Sequence, residues 1–234
     1  FVEMASLTDI GAPVISRWAN ASAGLDALLD PWNLVFGFAV MFLARMLGIL
    51  YIINNVDDED IRSRASVRLV GSTVPFLVFF LAFFVRLLLK DGYAVDAQGV
   101  VFMEPMKYLH NYLDIWPLAV LTVIGVVLLL YGVVRTILSS TYIRGIWPAG
   151  IGVVLVVLSL LLVAGWGDTA YYPSNADLQC SLTIANSCSS EFTLHTMAVV
   201  SLLIPFVLAY IVYAWRCIDK KKLDHDEISR GEAY

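Results

Sequence analysis

The sequence predicts an all-α integral membrane protein of about five transmembrane helices, and two observations carry that reading. The first is composition. Of 234 residues, 59% are hydrophobic and only 15% charged, and mean hydropathy is +0.78. Soluble domains carry about 25% charged residues, so this chain lacks the charges to cover a core with a polar surface. The second is run length. A bilayer core of ~30 Å takes about 20 apolar residues of helix at ~1.5 Å rise each, and five stretches are that long. In lipid each backbone amide must be satisfied within its own segment, so these runs are helices. The net charge of −5 gives no electrostatic case for nucleic acid.

Residues 1–31 are mixed, with Gly11, Pro13, Gly24 and Pro31. They read as a periplasmic or interfacial connector, partly helical around Val14 to Asn20. The start, Phe1-Val2-Glu3, has no basic region followed by a short apolar core, so it is not a signal peptide. The reading favoured here is a fragment of a longer chain. The helices follow at about residues 32–53, 67–89, 116–134, 145–166 and 194–215, and residues 218–234 form a charged tail.

Orientation follows from the asymmetry of Lys and Arg. With five alternating helices, Arg62, Arg64 and Arg68 share one side with Arg135, Arg144, Arg216, Lys220, Lys221 and Lys222. The loop 167–191 has neither Lys nor Arg. The expectation is a cytoplasmic C-terminus and a periplasmic loop 167–191. Trp32, Trp116, Trp147, Trp166 and Trp215 fall near helix ends, where amphipathic rings suit the headgroup region.

Several residues inside the runs stand out. Pro75 and Pro205 each remove a backbone donor and free the carbonyl four residues earlier, at Gly71 and Ser201. Both predict kinks, which serve packing or open a pocket for a quinone or lipid tail. Gly37, Ala44 and Gly48 share one helical face and predict close helix packing. Arg45 lies mid-helix, where a charge costs about 2.5–3.5 kcal/mol. It is expected to face the protein interior and find a partner (Asp114, an acid on another subunit or a backbone carbonyl) or else to snorkel to the interface.

The three histidines, His110, His195 and His225, fall in a loop, at a helix start and in the tail. Haem in a helical bundle needs His or Met inside the helices, and Met41, Met46 and Met197 are better read as lipid-facing or packing residues. The chain is therefore expected to bind no haem of its own, and no metal. No paired acids occur mid-helix, so no proton relay is visible, and Arg45 is the one polar feature read at mid-membrane. Cys180 and Cys188 share a loop predicted to be periplasmic, where a disulfide can form; free thiols are the alternative.

The loop before the fifth helix is distinctive. It reads Tyr172-Pro173-Ser174-Asn175, Ser181-Leu182-Thr183-Ile184-Ala185-Asn186-Ser187 and Ser189-Ser190-Glu191-Phe192-Thr193-Leu194, followed by Met197. Together with Pro205, Tyr210, Tyr213 and Trp215, this resembles the last helix of subunit II of cytochrome bd-type quinol oxidases and the loop before it. Leu29-Asp30-Pro31 and Arg62-Ser63-Arg64-Ala65 resemble the same family more loosely.

The resemblance implies a C-terminal four-helix bundle plus one helix of a larger, two-bundle subunit. It implies an aerobic respiratory enzyme of the bacterial inner membrane, coupling quinol oxidation to oxygen reduction and charge separation. Haem b and haem d are then expected in a partner, subunit I, which this chain stabilises. A small accessory subunit, quinol and membrane lipids complete the expected partners, with a bound quinone or lipid as the small molecule this chain could hold. No catalytic residue is carried over. The readings that compete are a transporter or permease domain and a structural subunit of another membrane complex.

Overall fold

In the computed structural model, residues 3–4, 16–17, 21–22, 25–139, 141–174 and 177–218 are described. Beyond Ile218, the tail with its lysines and His225 lies outside the described residues, as does most of the connector 1–31. Two short strands do belong to that connector: β1 (Glu3–Met4) pairs antiparallel with β2 (Ser16–Arg17). The helical reading around Val14 to Asn20 therefore fails at Ser16 and Arg17, where pairing to a distant segment outcompetes local helix.

Helix α1 (Pro31–Asn55) starts where the sequence signals a start. Asp30 accepts a hydrogen bond from the Trp32 amide at 2.9 Å, and Pro31 occupies the first turn. Helix α2 (Glu59–Leu89) begins well before the apolar run at residue 67. Hydropathy marks only the part of a helix that meets lipid. Here the start is set by Asp58, which caps the Ile61 amide at 2.9 Å, and by Glu59 and Asp60, whose charges suit the helix N-terminus. About two turns, ~12 Å, thus stand beyond the apolar segment.

After α2 comes a hairpin of β3 (Gly92–Val95) and β4 (Val101–Glu104), then a short helix α3 (Lys107–Asp114). Helices α4 (Trp116–Leu138) and α5 (Ile146–Gly165) form the next two spans. A one-turn helix α6 (Ile184–Ser187) leads to α7 (Glu191–Ser201) and α8 (Ile204–Ile218), which together make the fifth apolar crossing.

The bundle is two hairpins laid together. In the first, α1 and α2 interlock through phenylalanines, with Phe36 on Phe83 at 4.4 Å and Phe38 on Phe79 at 5.4 Å between ring centres. In the second, α4 and α5 meet through glycines. A Cβ on Gly125 would lie 2.8 Å from the Gly152 carbonyl oxygen, and one on Gly132 would lie 2.9 Å from the Ala149 amide nitrogen. Van der Waals contact replaces the hydrophobic effect as the force between helices in lipid, so backbones that can approach this closely gain most. Between the hairpins, Met46, Leu50, Leu69, Phe76, Leu129 and Val133 form a buried core.

The expected small-residue face of α1 does not pack against another helix among the described residues. Ala44 is exposed, and a Cβ on Gly37 or Gly48 would meet nothing within 4 Å. The close approach falls on α4 and α5 instead. The fifth crossing also stands apart: no residue of α7 or α8 is buried. Its described link to α1 is an edge-on contact of Tyr51 with Trp215, 6.2 Å between ring centres.

Alternating spans put the ends of α1, α4 and α8 at one end of the molecule and β3, β4, α3 and the 166–190 loop at the other. Arg62, Arg64, Arg68, Arg135, Arg144 and Arg216 belong to the first, or basic, end. Trp147 and Trp215 are exposed there, while Trp32, Trp116 and Trp166 are exposed at the opposite end. Two aromatic girdles a helix length apart are the pattern of a membrane-spanning bundle.

Candidate functional site

The sequence-predicted residues do not converge on one site, and each has its own surroundings. Arg45 is the most consequential. It sits ten residues, ~15 Å, before the basic end of α1, and it is exposed on the outside of the bundle. It makes no ion pair or hydrogen bond among the described residues. The expectation of a partner inside this chain is not met. Asp114 ends α3, exposed, at the far end of the molecule, ~20 Å along α1 from Arg45. On the same exposed face of α1 lie Gly37, Met41, Ala44, Gly48 and Ile52.

Pro75 sits inside α2, which continues through it. The turn before it is held by side chains: Ser72 Oγ donates to the Arg68 carbonyl at 3.0 Å and Thr73 Oγ1 to the Leu69 carbonyl at 2.7 Å. Thr73 also approaches Met46 Sδ at 3.5 Å. Beyond Pro75, Phe76, Leu77 and Phe80 help line a cavity of about 140 Å³ between the two hairpins, faced also by Leu43, Leu129 and Val156. Its wall offers no polar atom, so it suits hydrocarbon and cannot hydrogen-bond a quinone carbonyl.

Around Pro205 the fifth crossing is interrupted. Leu202 and Leu203 donate to the Val199 and Val200 carbonyls, a tightened turn, and α8 restarts at Ile204. Ser201 Oγ donates to the Ala198 carbonyl at 2.6 Å.

Sequence reading missed a buried hydroxyl cluster. Thr122 of α4 and Ser159 of α5 lie 2.5 Å apart, and both bond the Leu118 carbonyl. The Tyr112 hydroxyl of α3 is 3.3 Å from Thr122 Oγ1 and 3.4 Å from Ser159 Oγ. Arg45 is therefore not alone as a polar feature among the spans. Beside this cluster, Asn111 (2% exposed) donates through Nδ2 to the Val163 carbonyl at 2.9 Å and to Thr169 Oγ1 at 2.8 Å. These bonds tie α3 to the end of α5. Two polar side chains in otherwise apolar runs, at Thr122 and Ser159, were the signal available.

The distinctive loop is architecture rather than chemistry. Thr183 and Asn186 form a reciprocal capping box on α6. Ser181 Oγ accepts from the Ser174 amide at 3.0 Å, Tyr171 donates to Ser187 Oγ at 3.0 Å, and Ser190 caps α7. Gln179 clasps both backbone groups of Val101 in β4, at 3.0 and 2.8 Å. Residues 168–170 add to the edge of β3 through the Ala170 amide on the Tyr93 carbonyl and the Val95 amide on the Asp168 carbonyl, both 2.8 Å. Cys180 is half-buried and Cys188 exposed in this loop.

Neither histidine among the described residues lies in the interior of the bundle. His110 Nδ1 is 2.7 Å from Glu104 Oε1 at the surface, and His195 is exposed on α7. Met46, the buried methionine, has the Thr73 hydroxyl at its sulfur. Among the described residues no three His, Cys, Asp or Glu side chains cluster as metal ligands. The bond to His110, helped by Lys107 Nζ at 3.2 Å, holds the Glu104 carboxyl below the usual glutamate range against a smaller opposing effect of burial.

Five apolar spans girdled by tryptophan define a multi-pass membrane protein of the all-α class. A family model described as cytochrome bd terminal oxidase subunit II matches residues 5–218, nearly the whole chain, and the chain belongs to that family. It is thus a member of a respiratory oxidoreductase complex that contains haem. No curated protein matches the chain.

Proposed function

We propose that the chain serves as the haem-free second subunit of a quinol-oxidising terminal oxidase in a bacterial cytoplasmic membrane. In this reading a partner, subunit I, holds haem b and haem d and carries out the electron transfer. Quinol gives up two electrons and two protons near the periplasmic face, and four electrons and four protons reduce one oxygen molecule to two waters. Charge separation arises because those protons are released and taken up on different sides. The basic end of the bundle faces the cytoplasm.

The observation that carries the proposal is the family match over residues 5–218. What this chain's own residues add is a wall. A redox partner needs a low-dielectric, shaped surround that excludes competing chemistry, and the outer faces of these spans are largely apolar, with Arg45 a charge at mid-depth. A charge there needs a partner, and this chain supplies none among its described residues. Arg45 and the open small-residue face around it therefore dock on another helix of the complex, which contributes an acid or a free carbonyl.

The test is oxygen uptake driven by a short-chain quinol, in membranes of a strain whose other terminal oxidases are removed. Deleting this chain should abolish uptake and its re-expression restore it. Uptake that persists without the chain would overturn the proposal.

A further inference from the structure

We propose that the basic end of the molecule carries a site for the phosphodiester headgroup of an anionic membrane phospholipid. The site is the cavity where the end of α1, the start of α5 and the end of α8 meet. It measures about 560 Å³ and is lined by Asn54, Asn55, Arg144, Trp147, Trp215 and Arg216, with Ile143 and Val212 on its apolar side.

The polar lining is made to donate. Among the described residues Arg144 and Arg216 make no side-chain ion pair or hydrogen bond, and no Asp or Glu lines the cavity. Asn55 Oδ1 is taken by Asn54 Nδ2 at 2.7 Å, whereas Asn55 Nδ2 is buried and has no hydrogen-bond partner. Two guanidinium groups lining one cavity match the non-bridging oxygens of a phosphate, which guanidinium can bind in bidentate fashion.

The apolar part of the lining selects a lipid over a soluble anion. Trp147 and Trp215 are exposed and stand at helix ends, the depth of headgroups. Val212 and Ile143 continue the cavity toward the spans, where acyl chains would run. The cavity also separates α8 from the bundle, and a lipid seated there fills the gap beside a crossing that buries no residue. Basic pockets between spans are a recurrent form of lipid recognition. The inference requires only that the chain spans a membrane, and it stands or falls apart from the oxidase reading.

The experiment measures phosphatidylglycerol bound to the intact complex by native mass spectrometry, titrated against phosphatidylcholine in mixed micelles, with inorganic phosphate as competitor. The wild type should prefer phosphatidylglycerol. Arg144→Gln and Arg216→Gln should each weaken that preference about five-fold, and R144K/R216K should keep a preference that R144Q/R216Q loses. Arg216 lies at the exposed end of α8, so R216Q leaves the bundle intact and keeps the test readable if the double variant fails to assemble. An undiminished preference in R216Q would overturn the proposal. So would displacement of the lipid by inorganic phosphate at equal concentration, which would mark a free-anion site. Loss of a partner subunit from R216Q with lipid retained would assign the arginines to protein contact instead, and would also overturn it.

Discussion

Gly125 of α4 and Gly152 of α5 lie backbone to backbone: a Cβ on Gly125 would come within 2.8 Å of the Gly152 carbonyl oxygen, and one on Gly152 within 2.6 Å of the Leu129 amide nitrogen. The atoms in the way are backbone, which cannot swing aside. Gly152→Ala should therefore force α4 and α5 apart at a cost of about 1–3 kcal/mol. Thermal unfolding of the purified complex would register this as a lowered midpoint. Gly150→Ala, on open space in the same helix, is the matched control and should leave the midpoint in place.

The α1 face predicts a different kind of failure. Arg45→Leu should leave the bundle folded, because Arg45 is exposed and makes no ion pair or hydrogen bond among the described residues, yet weaken association with the rest of the complex. The ratio of haem to this chain after affinity purification should fall by more than ten-fold, since losing one member of a buried charged pair costs about 3–5 kcal/mol, a factor of ten for each ~1.4 kcal/mol. Arg45→Lys should retain part of it. A photo-reactive residue at Met41, on the same exposed face, should cross-link to another helix of the complex.

Asn111 predicts a local effect. Replacing it with Leu strips bonds from the Val163 carbonyl and Thr169 Oγ1. An acceptor left unsatisfied in a buried place costs about 1–3 kcal/mol. Hydrogen exchange should accelerate over residues 163–170 while protection of α1 and α2 stays as it was.

Glu104 predicts a pH dependence. Its folded pKa is depressed, chiefly by the bond to His110 and also by Lys107. Such a carboxylate contributes stability that is fully present above its unfolded value, about 4.3, and is lost as pH falls through the lower folded value. Glu104→Gln should therefore lower the stability of the β3–β4 and α3 cap at neutral pH. The difference from wild type should shrink as pH falls below about 4. Melting curves of both proteins across that window would show it.

The sequence made the membrane class and the crossings legible because apolar run length is a local property and lipid leaves the backbone one solution. Helix starts were less legible. The first two turns of α2 carry Glu59, Asp60, Arg62 and Arg64, and only the Asp58 cap shows that they are helical. Packing partners were least legible. Gly37, Ala44 and Gly48 share a face just as Gly125 and Gly132 do, yet among the described residues only the second set meets another helix, and nothing within either segment says which. The hydroxyls of Thr122 and Ser159 were visible as polar residues, but their meeting depends on the crossing of α4 with α5. Arg45 was flagged by its depth alone. Its exposure became known only when the bundle could be seen to close without it.

The most direct measurement on the central claim is a reduced-minus-oxidised visible spectrum of the material that co-purifies with this chain, tagged and drawn from gently solubilised membranes. The account predicts a haem-bearing partner in fixed proportion, with the absorbance of b- and d-type haem. A stable complex of this chain that carries no haem would contradict it.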